Sequence, residues 1–362
     1  MTTTSERLSE KEKLTREVSK RVSQSVFDGS RLRVVLLVDV YDGAQQQFLE
    51  AYEQLCKQVA SVPGHVSDQL CQSIENPSQW LITSEWESAP PFLTWVNSEE
   101  HVRMVQPLHS CVRDTRSLRF HIVRETGGAA QAQSAERRLQ AHPRIGDGVI
   151  RHALTFTVKP GSEKKVAKIL ADYSSPEARV DDTTRLCRTS LFMHGNRVVR
   201  AIEVRGDLLA ALRHVARQPE VRAVEEAINP YLEQERDLND QESARMFFTR
   251  AALPAVHHVS TEDQSEGRRQ ALYYPARPGR GMRLAELIAQ TDSAAADDAA
   301  SPVLRSTVFQ RDDVVVRLVD MRGDREAEVL PRESRSAAEV RELLDAEVAR
   351  MDLITDRRSP GA

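Results

Sequence analysis

Runs of aliphatic and β-branched residues alternate along this chain with stretches whose apolar positions recur every three or four residues, so strands and amphipathic helices follow one another in a repeating order. In the first third, 34–40 reads as an apolar strand and 44–60 as an amphipathic helix stopped by Val62-Pro63-Gly64. Residues 66–72 and 80–86 flank the turn at Asn76-Pro77 and predict a hairpin; 90–105 is helical in pattern up to Pro107, and 117–124 supplies a last strand. The order then recurs. Residues 153–158 are β-rich and stop at Pro160-Gly161, after which 163–173 brings Val166, Ile169 and Leu170 onto one helical face. Residues 186–193 and 198–204 join across His194-Gly195-Asn196, a turn suited to a tight hairpin. Asp207 caps a helix running through Leu212 and Val215 toward Pro219, a second helical stretch covers 220–234, and 255–260 closes the unit. The order β-α-β-β-α-β is ferredoxin-like: an antiparallel sheet carries helices on one face and leaves the other to be covered.

An internal repeat extends the pattern. Residues 188–207 (RTSLFMHGNRVVRAIEVRGD) align without gaps on 305–324 (RSTVFQRDDVVVRLVDMRGD), with eight of twenty positions identical. Upstream, Arg151, Ala153, Leu154, Pro160 and Gly161 reappear as Arg269, Ala271, Leu272, Pro278 and Gly279. Duplication of a unit of roughly a hundred residues accounts for this. The expectation is an α+β chain of three ferredoxin-like units forming dimeric α+β-barrel assemblies: an arm at 1–30, a unit at 31–126, a linker rich in Ala, Gln and Gly within 127–148, duplicated units at 149–262 and 263–356, and a tail at 357–362. The duplicated units should pack sheet to sheet. The unit without a copy should pair with the same unit of another chain, giving a homodimer.

Composition narrows the class. At 362 residues with 40% hydrophobic and 29% charged residues the chain has material for several cores. A net charge of -4 disfavours nucleic acid as a partner, and no apolar run approaches the roughly 20 residues needed to span a bilayer. The polar 5–21 stretch is unlike a secretory signal, so a cytoplasmic location is expected, with Cys56, Cys71, Cys111 and Cys187 as reduced thiols and no metal site. Dinucleotide, P-loop, zinc and serine-hydrolase motifs are missing from the duplicated region.

The first unit, with Val62-Pro63-Gly64, Trp80 and Trp86 six apart, and Phe92-Leu93-Thr94-Trp95, resembles the antibiotic biosynthesis monooxygenase family. The later units, with R-H-A-L-T-F at 151–156, S-L-F-M-H-G-N-R at 190–197 and N-P-Y-L at 229–232, resemble the SchA/CurD-like domain found beside aromatic polyketide synthases for spore pigments and pentangular polyphenols. The first resemblance implies oxidation of an anthrone-like phenolic carbon acid to a quinone by O2, with no flavin, haem or metal. A haem-degrading relative would need a His ligand, for which absorbance is the test. A base or donor must stabilise the substrate enolate, and an aromatic wall must orient a planar ring system. Candidates are Trp95, His101, His109, His65 and Asp39, with Trp80 and Trp86 as walls. The family places an Asn on the first strand, and this chain has none there. Any one Trp is more often core than catalytic, a lone His on a polar helix is usually solvated, and Pro107 stands to separate His101 from His109.

In the duplicated units Arg188 and Arg200 recur as Arg305 and Arg317. An Arg in a strand is either an edge residue in solvent or a lumen residue that holds an oxyanion. His152 begins a strand, and His257-His258 lies in another, where only one of the pair can face a common cavity. Tyr273 and Tyr274 take the places of Thr155 and Phe156. His152, Arg188, Arg200, His257, Tyr273, Arg305 and Arg317 are therefore candidate contacts to an aromatic polyketide intermediate. Three readings follow: a cofactor-independent oxygenase, a polyketide cyclase acting by aldol closure, and a non-catalytic partner of polyketide synthase or cyclase components.

Overall fold

A computed structural model describes residues 22–123, 146–172, 176–237, 239–261, 263, 265–329 and 335–359. The described residues within Ser25–Arg144 form one unit, and those within Ile145–Ala362, together with 22–24, form another. The expected linker lies mostly outside the described residues, as does most of the expected arm. Within the arm lies a strand, β1 (Val22–Ser25), that hydrogen-bonds to the sheet of the C-terminal unit.

The N-terminal unit runs β2 (Leu32–Val40), α1 (Gln45–Val59), β3 (His65–Gln72), β4 (Gln79–Trp86), α2 (Ala89–Val96), α3 (Glu99–His109) and β5 (Val112–His121). Its four strands pair antiparallel in the order β3-β4-β2-β5. One face packs under the helices, where Val38, Val40, Phe48, Trp80, Leu108 and Cys111 form the core. Alternation sends Val35, Leu37, Leu81 and Phe120 to the other face, where Leu37 and Phe120 stand exposed. The single helix expected over 90–105 is two, because Ser98 is extended and its hydroxyl accepts from the backbone N–H of His101 at 3.1 Å, starting α3 afresh. Pro107 does not end α3. It sits in the last turn, where one lost backbone bond is tolerated, and the helix continues to His109.

In the C-terminal unit the first half runs β6 (Val149–Thr157), α4 (Glu163–Asp172), β7 (Arg185–His194), β8 (Arg197–Arg205), α5 (Leu208–Arg217), α6 (Pro219–Ile228), a 3-10 turn (Asn229–Tyr231), α7 (Gln241–Ala251) and β9 (Ala252–Ser260). The second half runs β10 (Arg268–Pro275), α8 (Gly281–Asp297), β11 (Val303–Arg311), β12 (Val314–Met321), α9 (Arg335–Leu343) and β13 (Ala349–Arg358). Strands β6-β8-β7-β13-β10-β12-β11-β9 close on β6, an eight-stranded antiparallel barrel with β1 as an added edge on β9. The two halves therefore do not stack as separate sheets. The last strand of each half crosses to the other: β9 pairs with β11 from Ala255↔Phe309 to Ser260↔Arg305, and β13 pairs with β7 from Asp352↔Met193 to Arg358↔Arg188. Exchange satisfies edge hydrogen bonds that two open sheets would leave unpaired. The interior is shared, with Ala153, Phe192, Val199 and Leu253 meeting Ala271, Phe309, Val316 and Met351. Strand β13 also runs into the expected tail.

Local chemistry fixes the turns. His194 pairs with Arg197 across Gly195-Asn196, and Gly195 holds φ +52°, which glycine adopts without strain. At the start of α8 a Cβ on Gly281 would lie 1.9 Å from the Asp312 carbonyl oxygen. Gly281→Ala should therefore lower stability by roughly 1–3 kcal/mol, as overpacking does; a thermal midpoint equal to that of the parent would contradict it.

Candidate functional site

Strand β4 ends at Trp86 and, after a short turn, α2 brings Phe92 and Trp95 back over it. Trp86 is fully buried; Trp95 stacks on it at 5.2 Å with planes 29° apart, and Phe92 meets it edge-on at 5.3 Å. The His65 ring meets Trp86 edge-on at 5.2 Å, with the Asp68 carboxylate 2.8 Å from its Nε2. His101, on the first turn of α3, approaches Trp95 edge-on at 4.5 Å. The Arg119 guanidinium, from β5, lies 5.3 Å over Phe92. The sequence candidates Trp86, Trp95, His101 and His65 are thus brought into one cluster, which Arg119 joins without having been anticipated. A cation on a strand beside a Trp-bearing helix was the readable signal for it.

Two properties make this cluster chemically poised. The Trp95 indole Nε1 is buried with no hydrogen-bond partner among the described residues, as is Trp80 Nε1 in the core, but of the two only Trp95 keeps a partly exposed ring. Burial, with Arg119 and then His109 adding to it, lowers the His101 pKa to about 4, so the imidazole is neutral at pH 7 and has an acceptor nitrogen to offer. The remaining candidates lie elsewhere. His109 is exposed at the other end of α3. Trp80 packs at 5.4 Å against Phe48 in the core under α1. Asp39 sits at the end of β2 opposite Leu32, the residue paired with Trp86, and its carboxylate lies 3.6 Å from Arg113. It is on the sheet face away from the helices, because it alternates with Val38 and Val40.

The barrel sorts its polar residues onto two sides. Arg188 and Arg305 point inward, toward Asp320, at 3.0 and 3.5 Å. Arg269 also binds Asp320, at 2.8 Å, and reaches Glu203 at 2.7 Å, while Asp356 accepts from Arg188 at 2.8 Å. Burial alone would raise the Asp320 carboxyl, but Arg269, with Arg188 and Arg305, overrides it and holds the pKa at about 2. Arg200 and Arg317 are neither edge nor lumen residues. They point outward under the helices, where Arg200 meets Glu225 of α6 and Arg317 meets Asp292 of α8, each at 2.5 Å. Their charges are committed to internal carboxylates, which corrects the expectation that they would hold a substrate oxyanion.

Of the adjacent histidines His258 faces the lumen, its Nδ1 2.9 Å from Thr307, and His257 faces α8, its Nε2 3.4 Å from Ser293. The candidate His257 is therefore the outward neighbour; strand parity alone does not say which of the two faces inward, and the register with β11 decides it. Tyr273 faces the lumen, with Arg197 4.9 Å over its ring. His152 lies on the helix-facing side of β6, where burial lowers its pKa to about 4. A histidine kept neutral in the fold binds its proton more readily when unfolded, so stability should be complete above 6.5 and fall as the pH drops toward 4. For His152 this amounts to roughly 3 kcal/mol. His152→Gln should flatten the acid limb of the thermal midpoint; an unchanged limb would remove His152 as its cause.

Comparison with known proteins adds an independent line. Residues 31–107 match the family model for antibiotic biosynthesis monooxygenases, and 149–261 that for the SchA/CurD-like domain. The 42.8 kDa protein in the whiE locus of Streptomyces coelicolor is 60% identical, over 94% of this chain and 91% of that protein. The polyketide synthase CurD of Streptomyces cyaneus is also 60% identical, over 93% of this chain and 97% of that protein. Among solved structures, SnoaB, a cofactor-independent oxygenase from Streptomyces nogalater, is similar over 27% of this chain and 96% of its own, at 16% identity and a TM-score of 0.25.

Proposed function

We propose that this chain, which belongs to the SchA/CurD-like proteins that carry an N-terminal antibiotic biosynthesis monooxygenase domain, oxidises an anthrone-like aromatic polyketide intermediate to a quinone with O2 and no cofactor. The observation that carries the reading is the Trp86–Trp95–His101 stack with its orphan indole N–H. A planar substrate stacks against the partly exposed Trp95 ring, with Trp86 buried behind it, and a phenolic oxygen that reaches the buried Trp95 Nε1 accepts from it. The neutral His101 takes the proton as the substrate ionises, and the cation of Arg119 stabilises the enolate that results. Negative charge on the substrate raises the proton affinity of His101 at the moment it is needed. The enolate passes one electron to O2, the radical pair combines to a hydroperoxide, and loss of water leaves the carbonyl. One CH2 and one O2 become one quinone carbonyl and one water.

The test is turnover of emodin anthrone in air and under nitrogen. One O2 consumed per quinone formed supports the oxygenase; ring closure of a poly-β-ketone at the same rate without O2, and no anthrone oxidation, would give the cyclase instead. The relatives' names tie them to a polyketide synthase and to a named locus, which supports a place among such enzymes. Two finer readings belong with it. Matching registers in the barrel, Leu154↔Arg200 and Leu272↔Arg317, support an internal duplication. The exposed sheet face of Leu37 and Phe120 supports a homodimer through the N-terminal unit. Light scattering at micromolar concentration should give the mass of a dimer, and Leu37→Glu should give a monomer; a monomeric parent would contradict this.

A further inference from the structure

A cavity of about 690 Å³ lies on the outer side of the barrel, between α8 and the sheet of the second half. That is within the range of roughly 300–1,000 Å³ typical of small-molecule sites. Tyr274, Val303, Arg317 and Met321 line it from the strands, and Ile288 and Ala295 line it from the helix. Its origin is visible in the other half. Leu186↔Val204 and Val303↔Met321 occupy the same register in their hairpins, and Gly-Asp follows each, at Gly206-Asp207 and Gly323-Asp324. After Asp207, α5 lays Leu208, Leu212 and Val215 over Leu186 and Val204. After Asp324 the described residues 325–329 form no helix, and Val303 and Met321 face the cavity instead.

The filled half also shows what such a space accepts. Phe156, in the register position of Tyr274, packs at 6.0 Å against Phe247 of α7. The Arg236 guanidinium lies 4.0 Å over Phe247 and 5.1 Å over Phe248, and Glu225 binds both Arg236 and Arg200. Flat rings are thus stacked on a guanidinium–carboxylate cluster built around the strand arginine. In the second half the equivalent arginine, Arg317, lines the cavity while it pairs with the fully buried Asp292 behind it, and no helix like α7 lies among the described residues between α9 and β13.

We propose that this cavity binds a flat, polyhydroxylated aromatic ligand, a second site separate from the Trp95 cluster; the ligand class rests on the proposed function. The apolar walls take the ring faces. The Asp298 and Glu326 carboxylates at the lining accept from phenolic hydroxyls, and Arg325 donates to a ring carbonyl.

The probe is emodin, a trihydroxylated anthraquinone, and the protein is the full chain. All three tryptophans, Trp80, Trp86 and Trp95, lie in the N-terminal unit, so their static contact quenching, read from fluorescence lifetimes, marks ligand bound there, while equilibrium dialysis counts every site. Dialysis should find a second equivalent of emodin beyond the one that quenches tryptophan. Ala295→Phe should abolish that equivalent and leave the quenching unchanged. Val303→Phe, which fills the cavity from the opposite wall, should do the same and serves if Ala295→Phe does not fold. Dialysis that finds only the quenching equivalent, or both variants retaining the parent's stoichiometry, would overturn the proposal. Emodin bound without quenching and lost in Ala295→Phe would uphold this site and contradict the N-terminal one.

Discussion

Asp320→Ala should destabilise the barrel by roughly 3–5 kcal/mol, the usual consequence of removing one partner from a buried ion cluster. Asp320 is 1% exposed and faces three guanidiniums, those of Arg188, Arg269 and Arg305. Without it those cations lose their common anion, while Glu203 and Asp356 compensate only Arg269 and Arg188. Because its folded pKa, about 2, is below the ordinary 3.8, the contribution of Asp320 is present above 3.8 and is lost as the pH falls through about 2. Urea titration at neutral pH reads the loss. Asp320→Ala combined with Arg188→Met should recover part of it, since two neighbours in one network are not additive. A variant within about 0.5 kcal/mol of the parent, the range of ordinary surface changes, would show that the cluster is not coupled to folding.

His101→Gln should lower turnover of emodin anthrone roughly 100-fold, the lower end of what a positioned proton acceptor contributes. Glutamine keeps a hydrogen-bonding end but cannot take the proton. The pH dependence separates this from a packing role. With the neutral imidazole as the working form and a pKa of about 4, parent activity should stay level below 6.5 and fall only toward 4. The variant's residual activity should lack that limb. Full activity in His101→Gln, or a parent limb centred at 6.5, would take His101 out of the reaction.

The order of elements was legible because strands and helices differ in apolar period, and the hairpins announced themselves through Gly195-Asn196 and Asn76-Pro77. Barrel closure was not. Alternation along 252–260 or 349–358 says that each is a strand, not which neighbour it joins, and β9 and β13 find their partners in the opposite half. Helix α7 is hard to read because Gln-Glu-Ser-Ala-Arg opens it with mostly polar residues, and the short apolar run Met246-Phe247-Phe248 shows no helical period in sequence while Phe247 and Phe248 meet at 5.5 Å in space. For Arg317 a signal existed. Leu284, Ile288 and Asp292 fall every four residues on α8, so a carboxylate sits in the apolar stripe and calls for a buried cation. For the N-terminal cluster the Trp and His candidates were readable from their spacing and resemblance, whereas Asp39 and Trp80 depended on faces and strand ends that the sequence does not give.

Trp95→Phe, assayed for quinone formation and for thermal midpoint on one preparation, separates a substrate contact from a packing role. Phenylalanine keeps an aromatic face but removes the buried N–H that has no partner among the described residues. A core tryptophan would show its loss in the midpoint, whereas a substrate-facing one shows it in turnover. Oxidation per folded molecule should fall by at least tenfold, about 1.4 kcal/mol of transition-state stabilisation, with the midpoint nearly unchanged. Parent-level oxidation per folded molecule would contradict the placement of the oxygenase site at Trp95.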